Sequence, residues 1–135
     1  MHAKRLLLLS LLLVMACKPP TPAEQLDSIL SWIGTAGMAG DAWLRHTTPD
    51  AYTRQTLDLS LQALEQISTD LLGSSLPRTD TATLDSILTR SRASIRRMAA
   101  LVKPGNSSEF SRELDLLRAN RKVLEQFSDS IDASQ

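Results

Sequence analysis

The chain is poor in the residues that most often carry chemistry. Of its 135 residues one is cysteine, Cys17, and two are histidine, His2 and His46. A single cysteine rules out a disulfide framework within one chain, and no cysteine and histidine spacing suits zinc. The paired Glu-x-x-His motif of di-iron bundles is missing, as are a cysteine-based haem attachment motif and a glycine-rich phosphate loop after a strand. Serines are plentiful, but none comes with a recognisable base and orienting partner. These absences lead to the expectation of a non-enzymatic protein that uses no metal and no cofactor. Aromatics are also scarce, at 4%, so any core has to be built mainly from leucine and isoleucine.

No apolar run reaches the roughly 20 residues needed to span a bilayer. The run Leu6 to Val14, interrupted only by Ser10, follows Lys4 and Arg5 and leads into Met15-Ala16-Cys17. A positive start, a short apolar stretch and a small-residue exit are the parts of an export signal rather than of a membrane span.

The last four residues of this leader, Val14-Met15-Ala16-Cys17, resemble the lipobox of bacterial lipoproteins. The resemblance covers the leader alone. It implies that the Cys17 thiol receives a diacylglyceryl group, that cleavage makes Cys17 the first residue, and that its amine often gains a further acyl chain. It also gives the lone cysteine a purpose, since two or three acyl chains anchor a protein stably where one does not. Lys18 stands where some lipoproteins carry an aspartate, and its presence implies an outer-membrane, periplasm-facing destination if the cell has two membranes.

Removing residues 1–16 leaves 119 residues, enough for one domain. Lys4 and Arg5 leave with the leader, so 13 basic residues face 15 acidic ones. That near balance argues against nucleic acid as a partner. Residues 17–22 read as the lipidated cysteine and a stiff Pro-rich tether, about 15 Å long at roughly 3.1 Å per residue. Residues 23–135 form the domain.

The domain shows four segments with helical periodicity and none that reads as a strand. The first runs from about Ala23 to His46. Thr48-Pro49-Asp50 looks like a cap with proline at the first helical position of the second, which runs to Leu72 and stops at Gly73. After a loop at Ser74 to Pro77, the third starts near Asp80 and ends before Pro104-Gly105. Asn106 with Glu109 suggests a capping box for the fourth, which fades near Ala133. Core stripes of period 3.6 follow: Leu57, Leu61, Leu64 and Leu71 in the second; Leu84, Leu88, Ser91, Ile95, Met98 and Val102 in the third; Phe110, Leu114, Leu117, Leu124, Phe127 and Ile131 in the fourth. Four amphipathic helices with short connections predict an all-α, antiparallel up-down-up-down four-helix bundle.

The sequence also repeats itself. Leu26-Asp27-Ser28-Ile29-Leu30 returns letter for letter as Leu84-Asp85-Ser86-Ile87-Leu88. Tyr52-Thr53-Arg54 matches Phe110-Ser111-Arg112, Leu57-Asp58-Leu59 matches Leu114-Asp115-Leu116, and Leu64-Glu65-Gln66-Ile67-Ser68 matches Leu124-Glu125-Gln126-Phe127-Ser128, in the same order. A duplicated helical hairpin explains this order; convergent leucine-rich composition is the alternative. The repeat would place Leu26, Leu30, Ile33, Gly37, Gly40 and Leu44 on the core side of the first helix.

Gly34, Gly37 and Gly40 each cost roughly 0.8–1.0 kcal/mol of helix propensity against alanine and call for a reason. One is close approach of a neighbouring helix. The other is a hollow lined by Trp32, Met38 and Trp43, beside Gly37 and Gly40, able to take a small apolar ligand or a partner's side chain. These five residues are the candidate partner or ligand surface. Arg90, Arg92, Arg96 and Arg97 form a second candidate, for anionic lipid or glycolipid; they also complement the helix dipole and form two rows able to pair with acids of adjacent helices. The leading expectation is a membrane-anchored envelope lipoprotein, held through Cys17, that works as an interaction or structural module for another envelope component. The runner-up is the apolar-ligand binder. Oligomeric state is not legible.

Overall fold

The computed structural model describes residues 18–134, so the leader and Cys17 lie outside the described residues. Four helices follow one another: α1 (Pro22–Leu44), α2 (Asp50–Leu72), α3 (Arg78–Leu101) and α4 (Ser107–Ala133). Among the described residues there is no strand. Each helix packs on its sequence neighbours, α4 closes the ring against α1, and α1 meets α3 only lightly across the diagonal. The cross-helix pairs fix the directions. Asp41 meets Arg118 while Gly34 faces Arg121, and Arg54 reaches Val102 while Glu65 reaches Arg96, so numbers rise on one helix as they fall on the other. The fold is the expected four-helix bundle.

The helix ends show where local sequence acts. α1 begins in a reciprocal capping box: Thr21 Oγ1 accepts from the Glu24 amide at 3.2 Å and Glu24 Oε2 accepts from the Thr21 amide at 3.2 Å. Proline at N1 suits the fixed φ of a helix start. The box expected at Asn106 and Glu109 does not form, since Asn106 sits near φ −100° and makes no side-chain cap bond. At α2 the N-cap is Pro49 itself, not Thr48. The Thr53 hydroxyl donates to the Pro49 carbonyl at 3.1 Å, and the Thr48 hydroxyl lies 3.1 Å from it.

α1 stops at Leu44, and His46 takes the left-handed conformation, φ 58°, more often filled by glycine. The amides of His46 and Thr47 return to the carbonyls of Trp43 and Ala42 at 2.9 Å. α3 ends in a tight three-residue turn at Val102, whose freed carbonyl accepts from Arg54 Nη1 at 2.8 Å.

Every expected core residue of α3 is buried, as are Leu57, Leu64 and Leu71 of α2. Leu61 and Phe127 pack only at the edge of the core. α1 needs correction. Its buried line is Leu26, Ile29, Ile33, Ala36, Gly40 and Trp43, stepping three and four, while Leu30, Gly37 and Leu44 lie on the flank.

Burial follows the repeat closely in α1 and α3, where Leu26, Ile29 and Gly40 match Leu84, Ile87 and Met98, all buried. In α2 and α4 the match of Tyr52 with Phe110 fails: Tyr52 is 58% exposed and Phe110 fully buried. Thr53, Leu57 and Ser60 instead correspond to Phe110, Leu114 and Leu117, and Leu64, Ser68 and Leu71 to Leu124, Ser128 and Ile131. Between these groups α2 takes four residues, Ser60 to Leu64, and α4 takes seven, Leu117 to Leu124. The extra three residues are close to one turn, so the core face is regained, and Arg121 falls in the gap.

Candidate functional site

The three glycines of α1 have three different surroundings. A Cβ on Gly40 would lie 2.9 Å from Met98 Cε, 3.2 Å from Phe110 and 3.3 Å from Leu114. Gly40 therefore exists for close approach across the core. Gly34 faces the Arg121 guanidinium at an ordinary 3.7 Å, and Gly37 meets nothing within 4 Å.

The hollow expected beside Gly37 and Gly40, lined by Trp32, Met38 and Trp43, is not assembled. Trp43 is buried: its ring stacks at a tilt on Phe110, centroids 4.5 Å apart, and its Nε1–H donates to Asp50 Oδ1 at 2.7 Å. Phe110 and its neighbours close the space at Gly40. Trp32 is half-buried against the core, about 140° round the helix from Gly37. Gly37 and the exposed Met38 instead border an open groove of about 170 Å³ between α1 and α4, floored by Ile33 and Leu117 and rimmed by Asp41, Arg118 and Arg121. Asp41 and Arg118 are joined by an ion pair across this groove. Charged groups rim this groove, so it is not the apolar hollow lined by Trp32, Met38 and Trp43 that the sequence suggests.

The four arginines of α3 also divide. Arg96 pairs with Glu65 of α2 at 3.2 Å and Arg97 with Glu113 of α4 at 2.8 Å, as the two-row pattern anticipates. Arg90 and Arg92 reach only the Ser86 carbonyl and the Thr89 hydroxyl of their own helix. The tether prolines Pro19 and Pro20 sit with Asp70 and Ser74 at one end of the bundle, which is the end where α3 starts. At about 1.5 Å per residue, Arg90 and Arg97 stand roughly 18 and 29 Å from that end. Arg90 and Arg97 therefore lie well along the bundle from the tether end.

Sequence reasoning did not find a second groove, of about 520 Å³, between α3 and α4 near the opposite end. Arg97, Ala100 and Leu101 line it from α3; Glu109, Arg112, Glu113 and Leu116 line it from α4. Leu116 is 51% exposed. Glu113 Oε1 accepts from Arg97, while Oε2 is buried and has no partner. The i, i+3, i+4, i+7 spacing of the α4 residues was the available signal, but it is the spacing of an ordinary solvated flank.

Among the described residues, no helix is long and apolar enough to cross a membrane and no group of three or more His, Cys, Asp or Glu side chains is arranged to hold a metal ion. No protein family matches the chain, and no curated protein or solved structure matches it.

Proposed function

We propose that the chain is a lipid-anchored envelope protein, held through Cys17, whose helical bundle acts as a non-enzymatic interaction module for another envelope component. The observation that supports this is the spacing between lipobox and fold. The capping box at Thr21 and Glu24 starts the bundle only four residues after Cys17, and Lys18-Pro19-Pro20 between them is stiff. A lipid on Cys17 would hold the tether end of the bundle at the bilayer and carry the loops at 45–49 and 102–106 about 35 Å outward, the length of the 23-residue α1. In a cell with two membranes this is an outer-membrane protein facing the periplasm.

The repeated segments are read as two copies of one hairpin. The first hairpin supplies the surface for a partner. Ser28 to Gly40 contains no charged residue, and Met38, Tyr52 and Leu59 expose 67, 58 and 49% of their surface. Exposed methionine, tyrosine and leucine side chains are of the kind that protein interfaces cover at their centres.

Two experiments test the reading. Cells fed an alkyne-tagged fatty acid should label the wild-type chain, and Cys17→Ser should abolish the label and release the protein from membranes. An unlabelled mature chain that keeps residues 1–16 overturns the anchor. Photo-cross-linkers at 38, 52 and 59 should capture one protein in living cells, with a linker at exposed Gln62 as background. Equal capture from all four positions overturns the module.

A further inference from the structure

Among the described residues, the exposed large hydrophobic side chains are Met38, Tyr52, Leu59, Leu116 and Val123. Four of them form two pairs, Tyr52 with Leu59 on α2 and Leu116 with Val123 on α4. The members of each pair stand seven residues apart and so share one face of their helix. α2 and α4 run in the same direction at opposite corners of the bundle, so the two pairs look to opposite sides. Their levels also match. Tyr52 and Leu59 stand two and nine residues beyond Asp50, where α2 begins; Glu109 and Leu116 stand two and nine beyond Ser107, where α4 begins. The α3–α4 groove, about 520 Å³ over Ala100, Leu101 and Leu116, extends along α4 between Glu109 and Leu116. When two copies stand side by side with like ends together, Tyr52 and Leu59 of one therefore come level with the groove of the other. Charge selects the same pairing. Acids outnumber bases in α1–α2 and bases outnumber acids in α3–α4, so a first hairpin attracts a second and repels another first.

We propose that α2 of one copy docks on α4 of a second copy, with Leu59 on Leu116 and Tyr52 in the α3–α4 groove. The tyrosine ring would cover the apolar floor while its hydroxyl meets the charged rim at Glu109 and Arg112. The inference rests on the anchored-module reading and names the occupant of the face that holds Tyr52 and Leu59. Lipid on Cys17 would keep all copies on one surface with their tether ends level, which raises their local concentration and supplies the common direction that the contact needs. The two faces lie at opposite corners of the bundle, so the contact is head-to-tail and repeats from copy to copy into rows or rings rather than closed pairs. Met38, on α1, stays outside it.

The test uses cells that express the full chain in two differently tagged forms, one of which carries a photoreactive phenylalanine derivative in place of Tyr52. Light is expected to join it to the other form, with the cross-link mapped by mass spectrometry to residues 97–116 of that second copy. Leu116→Asp in the receiving copy is expected to lower capture about tenfold or more. The same substitution in the copy that carries the photoreactive group leaves capture unchanged, because that copy contributes α2. Circular dichroism of the purified Leu116→Asp chain separates lost docking from lost fold. Absence of self-capture, cross-links that map to α2 of the second copy, or indifference to Leu116→Asp in the receiving copy overturns the contact. Capture of a different protein from position 52 also overturns it and leaves the interaction-module reading standing. The fatty-acid label is read on the same chains: a labelled chain without self-capture overturns the contact and spares the anchor, and an unlabelled chain overturns the anchor whatever is captured.

Discussion

The hairpin α1–α2 and the hairpin α3–α4 share a pentapeptide and much of a core rhythm, yet they use them on unlike terms. Between Pro22 and Leu72 there are two bases, Arg45 and Arg54, and seven acids; between Arg78 and Ala133 there are ten bases and eight acids. The first hairpin is therefore acidic and the second mildly basic. Among the described residues, both ion pairs that join them, Asp41 with Arg118 and Glu65 with Arg96, put the acid on the first and the arginine on the second. The core shows the same division of labour. Gly40 and Met98 occupy matching places in the repeat, and each is the other's neighbour across the bundle. Two methionines there would collide and two glycines would leave a void, so a repeat with identical halves could not fill its own core at this level.

The largest expected effect separates positions that the sequence matches but the fold does not. Phe110→Ala should cost about 3–5 kcal/mol in urea unfolding of the full chain. Tyr52→Ala, at the exposed site paired with it by sequence, should stay within about 0.5 kcal/mol. Comparable losses would mean that the register of Thr53 against Phe110 is wrong. Next comes an exchange across the diagonal. Met98→Gly should cost about 2–5 kcal/mol by opening a cavity and Gly40→Met about 1–3 kcal/mol by overpacking. Made together they should cost clearly less than the two single losses combined, because each relieves the other. Simple additivity would deny the contact.

A third pair lies within one helix. Gly40→Ala should destabilise by about 1 kcal/mol, the clash outweighing the gain in propensity, whereas Gly37→Ala should stabilise by up to about 1 kcal/mol. Thermal melts of the two variants read the sign directly. The smallest effect concerns the ion pairs. With side chains 40–63% exposed, each is worth about 0.2–1 kcal/mol. Arg96→Ala and Arg118→Ala should each lower stability by that much at low salt and by almost nothing at high salt, where exposed charges are screened. A loss that persists undiminished at high salt would show that the arginine stems, not their charges, hold the hairpins together.

The contrast between glycines also marks the limit of what the residues alone disclosed. The number of helices, their order and nearly the whole stripe of α3 were legible because leucine and isoleucine recur at helical spacing with breakers between. In α1 the stripe was misplaced, because alanine and glycine carry too little apolar weight to mark a face. Ala36 and Gly40 prove to be core while Leu30 and Leu44 sit at its edge. The three-residue slip in α4 was visible only as a change of offset, and its consequence, Arg121 lying beside Gly34, depends on which helices become neighbours. By residue type alone Trp43 is a candidate for a binding surface, because tryptophan is common at interfaces. Its place was decided by partners distant in sequence, Phe110 above all. The α3–α4 groove could not be anticipated, since it requires two flanks of unremarkable composition to be laid side by side.

The capped start of α1 has a mechanical consequence for an anchored bundle. With the chain fixed at its tether and a partner holding the loops at 45–49 or 102–106, tension would run along the helices. α1 would then have to slide past α2 and α4 over its full length at once, rather than peel away turn by turn. Loading in that direction engages the interlocked crossing of Gly40 and Met98, which lies about one turn from those loops. Resistance to forced unfolding, which is governed by the rate of opening rather than by equilibrium stability, would depend on this crossing more than on the exposed ion pairs.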